Sequence, residues 1–219
     1  SYYGMVKCID DNVGQVLDTL RERKLLDRTI IVFTSDHGDL CGEHGRLNKG
    51  VPYEGSARIP FLIHCPEKIK SNTVVNAALG TVDFLPTILS LMDTPVPHKV
   101  DGRNAAALFT KSKADGWEDI AFVRSTGQPG RSGTAWISAI TEQFKLVYST
   151  NEEPWLIDLK NDPNELTNLF GQPAQKEKSR WMTERLLAYG KANDDEYLSS
   201  PRIRSWVDQV LKSNRSAND

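Results

Sequence analysis

The stretch TIIVFTSDHGDLCGEHGRLNKGVPYEGSAR, residues 29–58, changes character partway along. Its apolar residues at 30–33 are mostly β-branched or aromatic, which predicts a buried strand over 29–34. Titratable side chains then follow between glycines, at Asp36, His37, Asp39, Glu43, His44 and Lys49. In open α/β sheets, binding sites form on loops at the carboxyl ends of strands. The stretch therefore predicts an α/β fold with a site on this loop.

Asp36 and His37, directly after the strand, are candidate metal ligands. An ionised aspartate is a hard oxygen ligand suited to Ca²⁺ or Mg²⁺, and a neutral imidazole can complete a coordination shell. Such cations take about six ligands, so other segments must converge on this pair. The alternative is that Asp36 caps a turn and His37 packs against it, because aspartate is a common cap.

Lys49 and His44 are candidate contacts for an anionic substrate. Lys49 lies in a glycine-punctuated loop, which can direct an ammonium group at an anion. His44 can donate to the same anion or act as a general acid. The alternative for Lys49 is an ordinary solvated charge on the surface.

The remaining charged residues of the stretch are interpreted as structural. Asp39 and Glu43 are expected to orient the loop backbone. Tyr53-Glu54 and Arg58 are expected to form an internal pair that folds the loop back on the sheet.

The sequence on either side of the stretch predicts alternating helices and strands. Apolar residues at three- and four-residue steps predict an amphipathic helix over 4–26, and a helix followed by a buried strand is half of a βαβ unit. After the loop, the pattern predicts strands at 59–64 and 74–78, a helix at 82–92 and a short helix at 105–109.

From about residue 118 the sequence predicts an antiparallel sheet. Short apolar segments separated by Gly, Ser, Asn and Pro lie at 120–123, 134–140, 144–148 and 155–159. Helices are predicted to follow at 173–188 and 201–211. We therefore divide the chain into an α/β part, 1–115, and a small antiparallel sheet with helices, 116–219.

Bulk composition limits the classes of function. The 219 residues are 39% hydrophobic and 26% charged, which is ordinary for a globular protein. The net charge of −2 gives no basis for binding nucleic acid or an anionic membrane. No apolar run approaches the roughly 20 residues of a membrane span, so we expect no membrane partner. Three cysteines are too few for a disulfide framework.

The loop resembles the metal-binding region of the sulfatases, members of the alkaline phosphatase superfamily. The matching segments are Thr34-Ser35-Asp36-His37-Gly38, then Gly42-Glu43-His44-Gly45 and Lys49, then Tyr53-Glu54-Gly55-Ser56-Ala57-Arg58-Ile59-Pro60. Further likeness extends the resemblance over residues 1–190. It implies part of an alkaline-phosphatase-like α/β sheet, followed by a small antiparallel sheet packed with a C-terminal helix.

The resemblance also implies a role for each candidate residue. Asp36 and His37 would be ligands of a divalent cation, usually Ca²⁺, with Mg²⁺ as the alternative. Lys49 would bind the sulfate oxygens and stabilise charge in the transition state, with His44 as a second catalytic and substrate-binding residue. The substrate would be a sulfated small molecule or glycan. The family resemblance favours a periplasmic, secreted or lysosomal compartment.

The chain departs from the family at the nucleophile. Sulfatases use a formylglycine made from the Cys or Ser of C/S-x-P-x-R, and none of Cys8, Cys41 and Cys65 begins that motif. The acidic ligands of the first family strand also have no counterpart. We therefore expect the C-terminal part of a sulfatase, inactive alone, whose nucleophile lies in an N-terminal half of the same enzyme.

Two alternatives stay open. The chain could belong to a phosphonate monoester hydrolase or phosphodiesterase of the same superfamily, because the same metal loop serves both reactions. It could also be a non-catalytic fold that keeps the loop as a binding surface.

Overall fold

The computed structural model describes residues 2–111, 116–125 and 135–212. Its helices are α1 (Tyr2–Glu22), α2 (Glu54–Ala57), α3 (Phe84–Leu91), α4 (Ala106–Thr110), α5 (Lys176–Ala192) and α6 (Pro201–Lys212). Its strands are β1 (Ile31–Thr34), β2 (Phe61–His64), β3 (Ala121–Arg124), β4 (Trp136–Ile140), β5 (Phe144–Ser149) and β6 (Trp155–Asp158). None of the helices in these ranges is long and apolar enough to cross a membrane.

Strands β1 and β2 form a two-stranded antiparallel sheet, in which Ile31 lies opposite His64. The prediction of a buried strand at 29–34 is wrong, because no residue of β1 is buried and Phe33 is 44% exposed. A strand is buried on both faces only when other elements pack on both. The helix expected to cover β1 is α1, and α1 buries none of its residues.

The half of a βαβ unit expected from α1 and β1 stays a prediction, and β1 pairs with β2 among the described residues. One further prediction fails in this part of the chain. The segment 74–78 is a loop rather than a strand. Its backbone is held by a side chain, because the amide of Ala78 donates to Asp119 Oδ1 at 2.7 Å.

The second sheet has the strand order β3-β4-β5-β6, and every neighbouring pair is antiparallel. This confirms the predicted antiparallel meander. One face of the sheet packs against α5 and α6, and this packing forms the core. The buried core residues on that interface are Ile137, Ala139, Leu146, Tyr148, Leu156, Met182, Leu186, Ile203 and Val207.

The opposite face of this sheet is also covered. All six residues of β5 are buried, including Lys145, Val147 and Ser149, which alternate with the core residues. Lys145 contacts Pro52 and Glu54 of the candidate loop, and Trp136 of β4 contacts Gly50. The antiparallel sheet therefore carries the loop on the face away from α5 and α6. The division of the chain into 1–115 and 116–219 stays a prediction.

Both C-terminal helices lie where the sequence predicted them. Helix α6 extends one residue past the predicted end at 211, and Pro201 begins it, as suits the first helical position. Helix α5 begins at Lys176 rather than at 173, because Pro173–Gln175 form a 3₁₀ turn first.

Candidate metal and anion site

Asp36 and His37 lie next to each other at the surface, directly after β1. Asp36 Oδ2 is 3.3 Å from His37 Nε2, and Asp36 Oδ1 accepts the amide of His37 at 2.9 Å. That amide hydrogen bond holds the pKa of Asp36 below its ordinary value, because it stabilises the ionised carboxylate. A helix-capping aspartate would accept an amide two or three residues further on. The observed bond to the adjacent amide therefore does not favour the capping alternative.

The imidazole of His37 is oriented by the backbone. Its Nδ1 lies 2.8 Å from the carbonyl oxygen of Gly38, which can only accept, so Nδ1 carries the proton. Nε2, the other ring nitrogen, faces the carboxylate of Asp36. Metal-binding histidines commonly donate their other ring N–H to a carbonyl or carboxylate in this way.

The spacing of these two donor atoms suits a shared cation. Ligands at right angles around an ion 2.3–2.6 Å away would be about 3.3–3.7 Å apart. Asp36 Oδ2 and His37 Nε2 are 3.3 Å apart. Across residues 2–111, 116–125 and 135–212, no group of three or more His, Cys, Asp or Glu side chains could hold a metal ion. The described residues thus offer a pair of donors rather than a full shell.

Residues 40–48 form a hairpin-like loop after the donor pair. The amide of Leu40 donates to Asn48 at 2.8 Å, and that of Gly42 donates to Arg46 at 2.9 Å. Leu40 is 1% exposed and anchors the base of the loop. As predicted for Asp39, its carboxylate orients this backbone by accepting the amide of Cys41 at 2.9 Å.

His44 lies at the tip of this loop, with its backbone in the left-handed region at φ +52°. Its ring stacks on Tyr53, with the two centroids 3.7 Å apart and the planes 12° from parallel. Tyr53 in turn contacts the ring of Trp155 on β6, with a centroid separation of 5.0 Å. The orientation of His44 is therefore set by a column of rings that ends on the antiparallel sheet.

Lys49 is exposed, and its side chain makes no ion pair within the described part of the chain. Its charge acts on Asp39, whose pKa is lowered chiefly by the amide of Cys41 and further by the Lys49 ammonium. The backbone beside it is fixed on both sides of Gly50. Gly50 N–H donates to Ser56 Oγ at 3.0 Å, and Gly50 C=O accepts from Trp136 Nε1 at 2.9 Å.

Ser56 connects the donor pair to the lysine. It is 5% exposed, and its carbonyl accepts the amide of Gly38 at 2.9 Å while its hydroxyl accepts the amide of Gly50. The approach is close enough to require glycine at position 38, because a Cβ there would lie 2.0 Å from the carbonyl oxygen of Gly55. The two segments that carry the candidate residues are thus held on one short helix, α2.

The predicted partner of Glu54 is wrong. Glu54 Oε1 binds Lys145 Nζ at 2.6 Å, and no ion pair with Arg58 is among those of the described residues. Lys145 is completely buried and also binds Glu165 Oε1 at 2.7 Å and the carbonyl of Pro52 at 2.8 Å. The loop does fold back on a sheet, as predicted, but the sheet is β3–β6 and Lys145 is the contact. A lysine inside the apolar run 144–148 was the available signal.

Two family models match the chain. The model described as N-sulphoglucosamine sulphohydrolase, C-terminal, matches residues 42–192, and a protein of unknown function, DUF229, matches residues 1–78. The first match covers most of the chain and includes His44, Lys49 and the whole antiparallel sheet. Fold and loop together define a sulfatase-type protein. The chain belongs to the sulfatase family and corresponds to its C-terminal part.

Curated relatives agree with this membership. An arylsulfatase of Clostridium perfringens is 32% identical over 206 residues, which are 93% of this chain and 42% of that protein. An N-acetylglucosamine-6-O-sulfatase of Bacteroides thetaiotaomicron is 33% identical over 205 residues, which are 89% of this chain and 37% of that protein. The chain therefore spans about two fifths of the length of these relatives.

Solved structures show the same fold. A protein in complex with its substrate D-glucosamine-2-N,6-O-disulfate has a TM-score of 0.79 at 31% identity, over 87% of this chain and 40% of that one. The phosphonate monoester hydrolase of Agrobacterium radiobacter has a TM-score of 0.72 at 25% identity, over the same shares. These likenesses confirm the alkaline-phosphatase-like fold expected from the sequence.

Proposed function

We propose that this chain forms one wall of the active site of a sulfate ester hydrolase that acts on a sulfated carbohydrate. Membership of the sulfatase family supports the reaction, and the relative that cleaves N-acetylglucosamine-6-O-sulfate supports the substrate class. The observation that carries the proposal is the loop itself. It holds an ionised Asp36, an oriented His37 and a Lys49 that makes no ion pair with any described residue, all on one hydrogen-bonded framework.

Each candidate residue has a defined task in this proposal. Asp36 Oδ2 and His37 Nε2 would hold a divalent cation, which would supply Lewis-acid polarisation of the sulfate. Lys49 binds the sulfate oxygens and stabilises the charge that grows there in the transition state. His44, held flat on Tyr53, contacts the substrate and donates a proton to the leaving alcohol. The nucleophile, formylglycine, and the remaining metal ligands come from the N-terminal half of the same enzyme.

Exposed apolar residues support docking of an N-terminal half on α1 and the two-stranded sheet. Met5, Ile9 and Val16 on α1 are 55–59% exposed, and Leu62 on β2 is 60% exposed. Met5 and Ile9 lie one turn apart on α1, and apolar surface exposed on one helix face is typical of an interaction site. The proposal predicts no sulfatase activity for the 219-residue chain alone, and turnover of an aryl sulfate by that pure chain would refute it.

The test of the reaction uses the full-length protein with an aryl sulfate and a glucosamine sulfate. Lys49→Met should lower kcat/KM by about 100-fold or more, since it removes a preorganised charge at the sulfate. Lys70→Met is the matched control, because Lys70 is also exposed on a loop but lies outside the candidate site. Equal rates for the two variants would contradict the role of Lys49.

Metal dependence is tested separately by calorimetry with Ca²⁺, Mg²⁺ and Mn²⁺. Manganese belongs in the panel because imidazole is a softer ligand than the oxygens that Ca²⁺ prefers. Asp36→Asn should weaken cation binding by the full-length protein. Tight Ca²⁺ binding by the 219-residue chain alone would instead support a self-sufficient, non-catalytic binding module.

The second candidate function is phosphonate monoester or phosphodiester hydrolysis. The structural likeness to the phosphonate monoester hydrolase of Agrobacterium radiobacter favours it. The same metal pair and lysine would serve a phosphoryl group. Comparing kcat/KM for an aryl sulfate and a phenyl phosphonate ester decides between the two reactions.

A further inference from the structure

A cluster of buried charges lies beneath the candidate loop. Lys145 Nζ, on β5, donates to Glu54, Glu165 and the carbonyl of Pro52 at 2.6–2.8 Å, which uses all three of its N–H groups. Glu165 Oε2 accepts the amide of Glu54 at 2.6 Å. The side chain of Glu165 is 3% exposed, and its backbone lies in the left-handed region at φ +54°. The cluster therefore has a fixed geometry.

Glu54 passes this geometry to the candidate site through α2. It is the first of the four residues of α2, and Ser56 is the third. The carbonyl of Ser56 accepts the amide of Gly38, beside His37, and its hydroxyl accepts the amide of Gly50, beside Lys49. A shift of α2 would thus move the metal pair and the lysine together.

Stability alone does not account for such a cluster. Replacing buried ion pairs by apolar side chains of similar volume is often neutral or stabilising. Apolar packing is non-directional, whereas a lysine with three acceptors permits one placement of the carboxylate of Glu54.

We propose that Lys145 and Glu165 are positioning residues for the candidate site. They set the place of α2 on the antiparallel sheet, and Ser56 transmits it to the Asp36–His37 pair and to Lys49. The inference rests on the proposed function only for its effect on turnover. Its structural content is independent of which ester is cleaved.

The first test separates the two hydrogen bonds that Ser56 accepts, one at its carbonyl from Gly38 and one at its hydroxyl from Gly50. Hydrogen exchange of the Gly38 and Gly50 amides is measured in the full-length protein without substrate. Ser56→Ala removes only the hydroxyl, so Gly50 should exchange about tenfold faster or more while Gly38 is unchanged. Unchanged exchange at Gly50 would overturn the connection through Ser56, whatever the fate of other variants.

The second test acts on the cluster itself. In Glu165→Gln an amide group replaces one carboxylate oxygen, so either Lys145 or the amide of Glu54 loses its acceptor. The matched control is Tyr148→Phe. Tyr148 lies on β5, the strand of Lys145, but faces the helices, where its hydroxyl makes a buried 2.7 Å hydrogen bond with Thr183 of α5. Glu165→Gln should speed exchange at both Gly38 and Gly50, and Tyr148→Phe at neither. Equal effects of the two variants would show a merely structural role and overturn the proposal.

Turnover supplies the readout of function. Because small displacements of catalytic groups are costly, Glu165→Gln should lower kcat about tenfold or more, with no such loss in Tyr148→Phe. If exchange changes as expected but no sulfate ester is cleaved by the parent protein, the proposed function fails and the positioning role stands. If turnover is present and Glu165→Gln keeps the parent kcat, the positioning role fails.

Discussion

The two sheets of this chain have similarly apolar strands in opposite environments. Every residue of β5 is buried, whereas no residue of β1 is. The sheet β3–β6 is covered by α5 and α6 on one face and by the candidate loop on the other. In the sheet β1–β2, by contrast, β1 buries no residue, and neither does α1, the helix before it in the chain. An apolar run thus specifies that a strand forms, and the elements that pack on it decide whether it is buried.

The candidate site lies where these two regions meet. Asp36 and His37 lie just after β1 of the exposed sheet β1–β2, and Lys49 lies further along the exposed loop. Their backbone is nevertheless held in place by the buried sheet β3–β6, through Trp136, Tyr53 and the cluster around Lys145. A binding loop is expected to have this arrangement, with exposed functional side chains on a backbone that a rigid sheet holds in place.

The largest effect that separates the regions is expected at Lys145. Lys145→Met leaves Glu54 and Glu165 without their cation in a buried site, which should lower the free energy of unfolding by about 3–5 kcal/mol. Lys212→Met is the matched control, because its pair with Asp208 is 63–74% exposed and should cost under about 1 kcal/mol. Urea denaturation measures both. A small loss of unfolding free energy in Lys145→Met would mean that Lys145 does not anchor the loop on the sheet β3–β6.

A smaller difference is expected between the two apolar surfaces. Leu146→Ala, at a side chain with no exposure in the core of β5, should cost about 2–5 kcal/mol. Ile9→Ala on α1 should change stability by under about 0.5 kcal/mol in the 219-residue chain, since Ile9 is 55% exposed. The same pair in the full-length protein sharpens the comparison. A cost for Ile9→Ala that appears only there would show that another segment covers α1.

The smallest pair concerns two glycines. In Gly38→Ala the new Cβ would overlap the backbone of Gly55, so the loop must shift, at a cost of about 1–3 kcal/mol. In Gly14→Ala on α1 the new Cβ meets nothing within 4 Å, and the helix should gain about 0.5–1 kcal/mol. The Tm measured by thermal unfolding should therefore fall in Gly38→Ala and rise in Gly14→Ala. Equal shifts would contradict the tight contact between Gly38 and α2.

Local patterns predicted the elements better than their surroundings. The meander of β3–β6 and the helices α5 and α6 followed from short apolar runs and helical spacing, which are local signals. The predicted strand at 74–78 is a loop, and its last residue, Ala78, donates its amide to Asp119, which lies far along the chain. The predicted pairing of Glu54 with Arg58 is wrong, since Glu54 binds Lys145 on a distant strand. The roles of Asp36, His37, His44 and Lys49 stay predictions.

Lys145 also affects the strand register of the sheet β3–β6. Along β5, residues facing the helices alternate with residues facing the loop, and Lys145 is followed by Leu146. A slip of β5 by one residue would exchange these two faces. It would place an ammonium group among Leu156, Met182 and Leu186, and a leucine between two carboxylates. Lys145 therefore opposes such a slip, together with the alternation of side chains on the two faces, and helps to fix the register of this sheet.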